Sequence, residues 1–293
     1  MKQFWAWFVN QDGQLSIVAD QKNSTEVSAE TLNNIIQKSQ IVGRFIAKHV
    51  YFEMLFYNFT DVIKAIKEFE DDEENFKFEH EFIPYSTNIN RLLINALGSI
   101  FTYVNHYENG ISDISISSDI KRLTSQFFDE SPLYRFLYKL RNYVVHVDMP
   151  VTELSFGIDT PSKEFYIDKS HLLKRFDWGS KVRSDLENFP DKISVKKLAS
   201  EAIKLFVKFH RQIMMDQINE ILKIQQYFDG FGRIIENHIQ YPVILKVNDE
   251  NAGSVQIEDL FTNNVVLIEE AMRVIGIDAH SGRKVTNDNE TRI

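Results

Sequence analysis

The stretch SPLYRFLYKLRNYVVH, residues 131–146, decides how this chain folds. A serine that can cap a helix precedes a proline, the residue best suited to the first helical position. Apolar residues then recur at helical spacing, and Pro150 lies just beyond the predicted end of the helix. The pattern predicts an amphipathic helix that packs one face against a core. That face carries Leu133, Leu137, Leu140 and Val144.

Most of the remaining chain shows the same helical periodicity. Helices are predicted from Ser28 onward, over about 51–69, from Ser86 or Thr87 to about 107, from Ser117 or Ser118 to about 128, over about 194–227 and over about 262–274. Strand-like runs lie at 4–9 and 15–19, with Asp12-Gly13 between them, at 151–156 and 164–167, and at 241–247 and 254–258. The acidic run 68–74 is interpreted as a solvated loop. The expected fold class is mainly α (α+β overall), a helical bundle with β-hairpin decorations.

Three segments are expected along the chain. Residues 1–25 are predicted to form an N-terminal β-hairpin. Residues 26–230 form the helical domain, which carries a β-hairpin insertion near 151–168. Residues 231–293 form a small α/β C-terminal appendage that ends in a polar tail from residue 280.

Composition excludes several classes of function. The 293 residues contain no cysteine, so disulfides, thiolate zinc sites and a cysteine nucleophile are excluded. A net charge of −9 argues against a protein that coats nucleic acid without specificity, although a local basic groove remains compatible with it. The run from Phe4 to Val9 is too short for a signal peptide, and no apolar run is long enough to cross a membrane. We therefore expect a soluble, cytoplasmic protein with no membrane partner.

Chemistry-bearing side chains concentrate on the helix at 131–146. Arg141 and His146 have four residues between them, and Asn142 follows the arginine. An arginine can neutralise a phosphate, and a histidine can move a proton near neutral pH. On an ideal helix these two side chains project about 140° apart. The side opposite the apolar stripe carries Arg135, Tyr138, Asn142 and His146.

Two other pairs have the same spacing, so the spacing alone is weak. Arg44 and His49 form one pair, and Arg233 and His238 form the other. In each of these the arginine is followed by an apolar residue, whereas Arg141 is followed by an amide. The pair on the 131–146 helix is therefore the preferred candidate.

The combination of Arg141, Asn142 and His146 at the end of an amphipathic helix resembles the HEPN superfamily. Its domains are four- or five-helix bundles, and many are ribonucleases of toxin–antitoxin, phage-defence and CRISPR systems. The family motif is arginine, four to six residues and histidine, commonly with a polar residue after the arginine. The resemblance covers roughly residues 28–150, and residues 151–293 match no family that we can name. It implies a bundle of HEPN type that forms a homodimer, with motifs from both chains in one cleft.

The resemblance also implies a reaction. A ribose 2′-OH would attack the adjacent phosphate; His146 would act as general base or orient that hydroxyl, and Arg141 would stabilise the phosphorane. Asn142 would hold the histidine or the phosphate, and Arg135 and Tyr138 are expected to bind substrate. The expected function is a metal-independent endoribonuclease that leaves 2′,3′-cyclic phosphate and 5′-OH ends, acting as a toxin or phage-defence effector.

The resemblance brings further expectations and leaves alternatives open. Neither a metal nor another cofactor is expected. RNA is the expected substrate, and an antitoxin or another defence-system protein is the further partner. One branch of the family carries a tyrosine two residues after the histidine, where this chain has Asp148, so the regulation of that branch is not expected. The alternative function is a non-catalytic, dimeric HEPN-like module for interaction or RNA binding; a structural subunit of a larger complex is a third interpretation.

The remaining polar candidates favour ordinary structural roles. Glu79-His80-Glu81 lacks a second histidine at helical spacing, so a metal site there is disfavoured. Gly230-x-Gly232 lacks the strand and lysine of a phosphate loop. Two histidines on predicted helices, His106 and His210, are expected to be structural. A basic stripe on the long helix either follows an RNA backbone or is a solvated face: Lys197, Lys204, Lys208 and Arg211. An aromatic run predicts core or dimer interface: Tyr51, Phe52, Phe56, Tyr57 and Phe59.

Overall fold

The structure is a computed structural model that describes the backbone of residues 2–11, 14–19, 27–71, 82–109, 114–156, 163–235, 238–240, 243–247 and 255–258, and of six residues between 265 and 273. Its helices are α1 (Ala29–Asp71), α2 (Ile83–Asn109), α3 (Ile114–Glu130), α4 (Pro132–His146), α5 (Lys169–Arg175), α6 (Gly179–Glu187) and α7 (Val195–Asp229). Its strands are β1 (Lys2–Gln11), β2 (Gln14–Ala19), β3 (Glu153–Phe156), β4 (Lys163–Asp168), β5 (Lys192–Ser194), β6 (Arg233–Ile235), β7 (His238–Gln240), β8 (Val243–Val247) and β9 (Val255–Glu258). The predicted mainly α class with β decorations is confirmed.

The first long helix corrects the sequence prediction. Two helices were expected between Ser28 and residue 69, but α1 is one continuous helix of 43 residues. No proline interrupts it, and its interior glycine, Gly43, costs only about 1 kcal/mol relative to alanine. The acidic run also behaves differently from the expected loop, because α1 continues through Asp71. Residues 72–74 of that run lie outside the described part of the chain.

Helix starts were predicted with mixed accuracy. Ser131 caps α4 as expected, because its Oγ accepts a hydrogen bond from the backbone N–H of Tyr134 at 3.1 Å. Ser86 does not begin α2, which starts at Ile83; its hydroxyl instead donates to the Ile83 carbonyl at 3.1 Å. Helix α3 likewise begins before the two predicted serines, at Ile114. Serine and threonine hydroxyls bond to helical carbonyls as well as cap helices, so neither residue marks a start by itself.

Residues 50–213 form one compact unit with its own core. Helix α4 contacts α2 and α3, and it also contacts α6. Leu137 and Leu140 of the predicted stripe are fully buried. Phe136 and Tyr143 are buried too, and their rings stack on Trp178 at centroid distances of 5.8 and 6.0 Å. Trp178 and the helix that follows it, α6, therefore cover another face of α4, and neither is part of the sequence prediction.

The predicted hairpin near 151–168 is present in this unit. Strands β3 and β4 pair antiparallel, with Glu153 opposite Tyr166. Strand β5 adds a third, antiparallel strand, with Tyr166 opposite Ser194. Neither β5 nor the short helices α5 and α6 was predicted from the sequence. These elements carry the chain from the end of α4 to the start of α7.

Residues 1–49 and 214–293 form the second compact unit. Its four-stranded sheet has the order β2-β1-β8-β9. The predicted N-terminal hairpin and the predicted 241–247 and 254–258 strands are therefore present, but β1 pairs with β8. The two ends of the chain share one sheet, instead of forming a hairpin and a separate appendage. Strands β6 and β7 form a further, unpredicted hairpin.

The far C-terminal predictions are only partly covered by the structure. The described residues at 265–266, 268–269 and 272–273 are helical, as expected for the predicted 262–274 helix. The rest of that helix and the predicted polar tail from residue 280 lie outside the described residues. Among the helices that the structure describes, no stretch combines the length and hydropathy needed to cross a bilayer.

Lys48 makes the stability of the second unit depend on pH. It is buried, and burial, together with the nearby Arg44, lowers the pKa of its ammonium to about 8. Its Nζ donates to Gln217 Oε1 at 3.0 Å. Between pH 8 and the unfolded-state value of 10.5, the unfolded chain holds a proton that the folded chain has lost. The contribution of this group to stability therefore rises with pH across that window.

We expect Lys48→Met to melt about 2–4 °C higher than the wild type at pH 7, since a buried charge is removed. The difference is expected to shrink as the pH rises from 8 to 10.5. Thermal unfolding followed by circular dichroism at a series of pH values measures both effects. The control is Lys67→Met, at an exposed lysine of the same helix. A difference that stays constant with pH would contradict the lowered pKa of Lys48.

Candidate functional site

The last turns of α4 are held firmly in place. Tyr143 is fully buried, and its carbonyl accepts the final helical bond from the Val147 N–H at 2.8 Å. Asn90 on α2 holds the chain that follows: its Nδ2 donates to the Val151 carbonyl at 3.1 Å, and its Oδ1 accepts from the Val151 N–H at 3.0 Å. Asn90 is itself buried. The paired amide bonds fix where the polar end of α4 lies relative to α2.

Arg141 is half-buried and has two contacts. Its guanidinium carbon lies 4.4 Å from the centre of the Phe101 ring, which is a cation–π geometry. Its Nη1 donates to Asn142 Oδ1 at 3.1 Å. Asn142 thus orients the arginine, and its link to His146 remains an expectation. The guanidinium keeps further N–H donors, because a single hydrogen bond uses only one of its five.

A cleft of about 470 Å³ lies between α2, α3 and α4, within the size range of small-ligand sites. Arg141 and Tyr138 line it from α4, and Phe101 and Glu108 line it from α2. Tyr138 is partly exposed and meets the ring of Phe128 edge-on at 6.2 Å. The predicted site residues Arg141 and Tyr138 are therefore brought to one cleft. Its walls combine aromatic rings with polar side chains from all three helices, among them Asn105, Thr124 and Asp129.

His146 lies apart from this cleft. It is the last residue of α4, it is exposed, and it is not among the residues that line the cleft. Within the described residues, no hydrogen bond or ion pair joins it to Arg141. On an ideal helix the two side chains project about 140° apart, which fits a position of His146 outside the cleft that Arg141 lines.

Arg135, which is expected from the sequence to bind substrate, makes its contacts within the fold instead. It is only 5% exposed, and it forms a two-pronged ion pair with Asp185 of α6 at 2.6 and 2.8 Å. Its Nη1 also donates to the carbonyls of Phe128 and Asp129 at the end of α3, both at 2.6 Å. A substrate would reach this guanidinium only by displacing Asp185. The structure places Arg135 in the packing of the fold, because α6 lies against this part of α4.

A charged cluster next to His146 was missed by the sequence. Asp148 accepts a hydrogen bond from Arg175 and lies 3.7 Å from His171 Nε2, both on α5. A hydrogen bond from the Met149 N–H, and then Arg175 and His171, lower the pKa of the Asp148 carboxyl. Asp148, two residues after His146 in the sequence, thus contacts two basic side chains of α5. No sequence signal pointed to them, because α5 was not predicted.

The other sequence candidates take structural positions. His210 is buried, and its Nδ1 lies within hydrogen-bonding distance of the Tyr103 and Tyr107 hydroxyls, at 3.0 and 3.2 Å. Its ring stacks on that of Phe52 at a centroid distance of 4.1 Å. His106 stacks on Tyr51 at 3.8 Å. Four of the five residues in the predicted aromatic run are wholly or partly buried in the core, and Tyr57 is exposed.

The two alternative arginine–histidine pairs and the basic stripe are also placed. His49 is buried, and Arg233 and His238 lie on the paired strands β6 and β7. The basic stripe is exposed along α7: Lys197, Lys204, Lys208 and Arg211. Glu79-His80-Glu81 lies outside the described residues. In the part of the chain that the structure describes, no group of three or more histidine or acidic side chains is arranged to hold a metal ion.

Comparison with models of protein families finds no match to this chain. Comparisons with curated proteins and with solved structures find no match either.

Proposed function

We propose that this protein is a metal-independent endoribonuclease. The observation that carries the proposal is that Arg141 lies at the wall of a ligand-sized cleft, held there by Phe101 and Asn142, with an exposed histidine at the end of the same helix. The arginine supplies positive charge for a phosphate, and the histidine supplies a proton acceptor. These are the two groups that cleavage of RNA by its own 2′-OH requires.

The reaction balances with the chain's own groups. His146 Nε2 or Nδ1 removes the proton from a ribose 2′-OH, and the resulting oxygen attacks the adjacent phosphorus. The bond to the 5′-oxygen breaks, and that oxygen takes up the proton that His146 removed, so the imidazole returns to its neutral form. The products are a 2′,3′-cyclic phosphate and a 5′-OH end. Arg141 stabilises the extra negative charge of the pentacoordinate phosphorus.

A homodimer completes the proposed site. Arg141 and His146 of one chain project about 140° apart on an ideal helix, so a second copy would supply the missing half. Apolar side chains around the motif suit such an interface: Val145 and Met149 are both 53% exposed, and Val147 is 37% exposed. Exposed apolar groups next to a polar site are common where proteins associate. A toxin or defence role, with an antitoxin or defence-system partner, follows from the HEPN resemblance alone.

The decisive test is cleavage of total RNA by the wild-type protein in EDTA, with the product ends mapped. We expect cutting to persist in EDTA and to leave cyclic phosphate and 5′-OH ends. A protein carrying both Arg141→Ala and His146→Ala, purified in the same way, controls for contaminating nucleases. Cutting that EDTA abolishes, or equal cutting by the double variant, would contradict the proposal.

The exposed apolar residues beside His146 also favour the second candidate function, a non-catalytic interaction module. The net charge of −9 also favours this module, because a negative protein repels the phosphates of RNA. A folded, dimeric wild-type protein that leaves RNA intact would favour this module over the enzyme.

A further inference from the structure

The part of α7 that lies in the 50–213 unit concentrates positive charge. Residues 195–213 contain five lysines and arginines and a single acid, Glu201, in a chain whose net charge is −9. One of the five, Lys196, binds Glu70 of α1 at 2.5 Å. The other four are exposed and form the basic stripe. Positive charge is therefore gathered on this helix against the overall balance of the protein.

The basic stripe is a single row along one face of α7. Lys197, Lys204 and Arg211 follow one another at intervals of seven residues. Lys208 lies between the last two, so the four side chains project within about 60° of one another, in a row about 21 Å long. The opposite side of the helix is buried in the core: Leu198, Ala202, Phe206, Phe209 and Ile213. The core packing therefore holds the row of cations in place.

Three of the four cations take no part in the ion pairs of the fold. Glu201, at the edge of the same face, lies 2.9 Å from Lys204. Within the described residues, no ion pair joins Lys197, Lys208 or Arg211 to a carboxylate. Other lysines of the same unit are each paired with an acid: Lys169, Lys181, Lys192 and Lys196. The basic stripe therefore offers positive charge to a partner outside the chain.

The helix beside α7 limits the shape of that partner. Two contacts show that α1 runs alongside this part of α7, the Lys196–Glu70 ion pair and the stacking of His210 on Phe52. Between them α1 carries two lysines and four acids: Lys64 and Lys67, and Glu53, Asp61, Glu68 and Glu70. A row of cations next to an acidic helix favours one negatively charged strand along the row over a broad anionic surface.

The buried side of α7 also decides between a membrane and a phosphate chain. A basic helix binds a membrane surface by burying its apolar side among the lipids. The apolar side of α7 already lies in the core of the 50–213 unit, and no large hydrophobic side chain of residues 195–213 is exposed. A chain of phosphates needs cations and no exposed apolar side, so it fits the basic stripe better.

We propose that the basic stripe binds the phosphate backbone of single-stranded RNA, as a second RNA contact apart from the residues of α4. This inference deepens the proposed function and rests on it for the choice of RNA as the phosphate chain. Lysine and arginine contacts to phosphates hold a strand in position and carry no sequence information. The basic stripe therefore supplies affinity that depends on salt and not on base sequence.

The test is the salt dependence of binding to a fluorescent uridine oligonucleotide with 2′-fluoro riboses, which the proposed reaction cannot cleave. Anisotropy in EDTA gives the binding constant at salt concentrations from about 0.05 to 1 M. Each phosphate contact of a single strand contributes about 0.7 to the slope of log K against log salt, so four contacts give a slope of about −3. The triple variant Lys197→Gln, Lys208→Gln, Arg211→Gln is expected to bind about 100-fold more weakly at about 0.1 M salt, with a slope shallower by about 2.

A matched control removes the same amount of charge from other places. Arg91→Gln, Lys121→Gln and Arg183→Gln together change exposed cations on α2, α3 and α6. Both triple variants have the same net charge, so a difference between them reports the arrangement of the cations. The control is expected to bind within about threefold of the wild type, since charges outside the contact act weakly through salt. The slope of the wild type needs no variant, so it remains a test if a triple variant fails to fold.

The outcomes separate the two proposals. Equal loss of affinity in both triple variants, or a wild-type slope shallower than about −2, overturns the basic stripe as an RNA contact. Binding to phosphatidylserine vesicles that the stripe variant loses, while it keeps its RNA binding, assigns the stripe to a membrane surface instead. RNA cleavage by the wild type, with RNA binding unchanged in the stripe variant, removes only this inference. Stripe-dependent binding of the uncleavable RNA by a protein that cuts no RNA supports this inference and removes the proposed ribonuclease.

Discussion

The His146→Ala variant is expected to cleave RNA about 10²–10⁴ times more slowly than the wild type, the range for loss of a positioned general base. The same variant is expected to keep the wild-type melting temperature, because His146 is exposed at the end of α4. Single-turnover cleavage of a labelled RNA in EDTA measures the rate, and circular dichroism measures the melting. A lower rate with unchanged stability would separate chemistry from folding.

A matched control for this variant is His106→Ala, at another exposed histidine, which stacks on Tyr51. It is expected to cleave RNA at the wild-type rate. A His146→Ala rate within twofold of the wild type would exclude His146 as the general base.

Mixing two inactive variants extends the same experiment to the dimer. If each site takes Arg141 from one chain and His146 from the other, Arg141→Ala and His146→Ala dimers are both inactive. Half of the dimers in an equilibrated equal mixture contain one chain of each kind, and each of these has one intact site of two. The mixture is then expected to recover about one quarter of wild-type activity. No recovery on mixing would place both groups of a site on one chain.

Replacing Arg135 with alanine is expected to lower the free energy of unfolding by about 3–5 kcal/mol, the usual cost of removing one partner of a buried ion pair. Asp185, of which only 14% of the side chain is exposed, would lose both bonds to the guanidinium. The carbonyls of Phe128 and Asp129, at the end of α3, would lose their shared donor. Urea unfolding followed by circular dichroism measures the loss.

The neighbouring pair Lys181–Asp129 supplies the contrast. Its side chains are 51% and 68% exposed, so solvent screens the pair and Lys181→Ala is expected to unfold at nearly the same urea concentration as the wild type. Changing Arg135 and Asp185 together to leucine is expected to recover most of the stability lost by Arg135→Ala, since no unpaired charge then remains buried. If Arg135→Ala unfolds like the wild type, the ion pair does not hold α4, α3 and α6 together.

The features of α4 that depend on nearby residues were predictable from the sequence. Ser131, Pro132 and the apolar stripe act within one or two helical turns, so they specify the helix and its core face locally. The second buried face was not predictable in this way. It depends on Trp178 and Asp185, about 40 to 50 residues further along, in short elements whose periodicity is too brief to detect.

The candidate site shows the same division. The sequence placed Arg141, Asn142 and Tyr138 together because they share one helix, and their neighbourhood in the structure follows from that spacing. Phe101 and Glu108 were not singled out, since their approach to α4 depends on how α2 packs. Arg135 lies opposite the core face that the periodicity identifies, but its burial depends on α6, which packs on that side of α4 and has no detectable periodicity of its own.

The pairing of β1 with β8 has a consequence for synthesis on the ribosome. Lys2 lies opposite Val247 in that ladder, so its partner is made about 245 residues later. At about 5–20 residues per second, β1 waits on the order of ten to fifty seconds for β8. Residues 50–213, contiguous in sequence, are complete roughly 2–7 seconds before residue 247 is added. The N-terminal hairpin therefore spends this interval with one strand edge unpaired, the state in which a nascent chain most needs a chaperone.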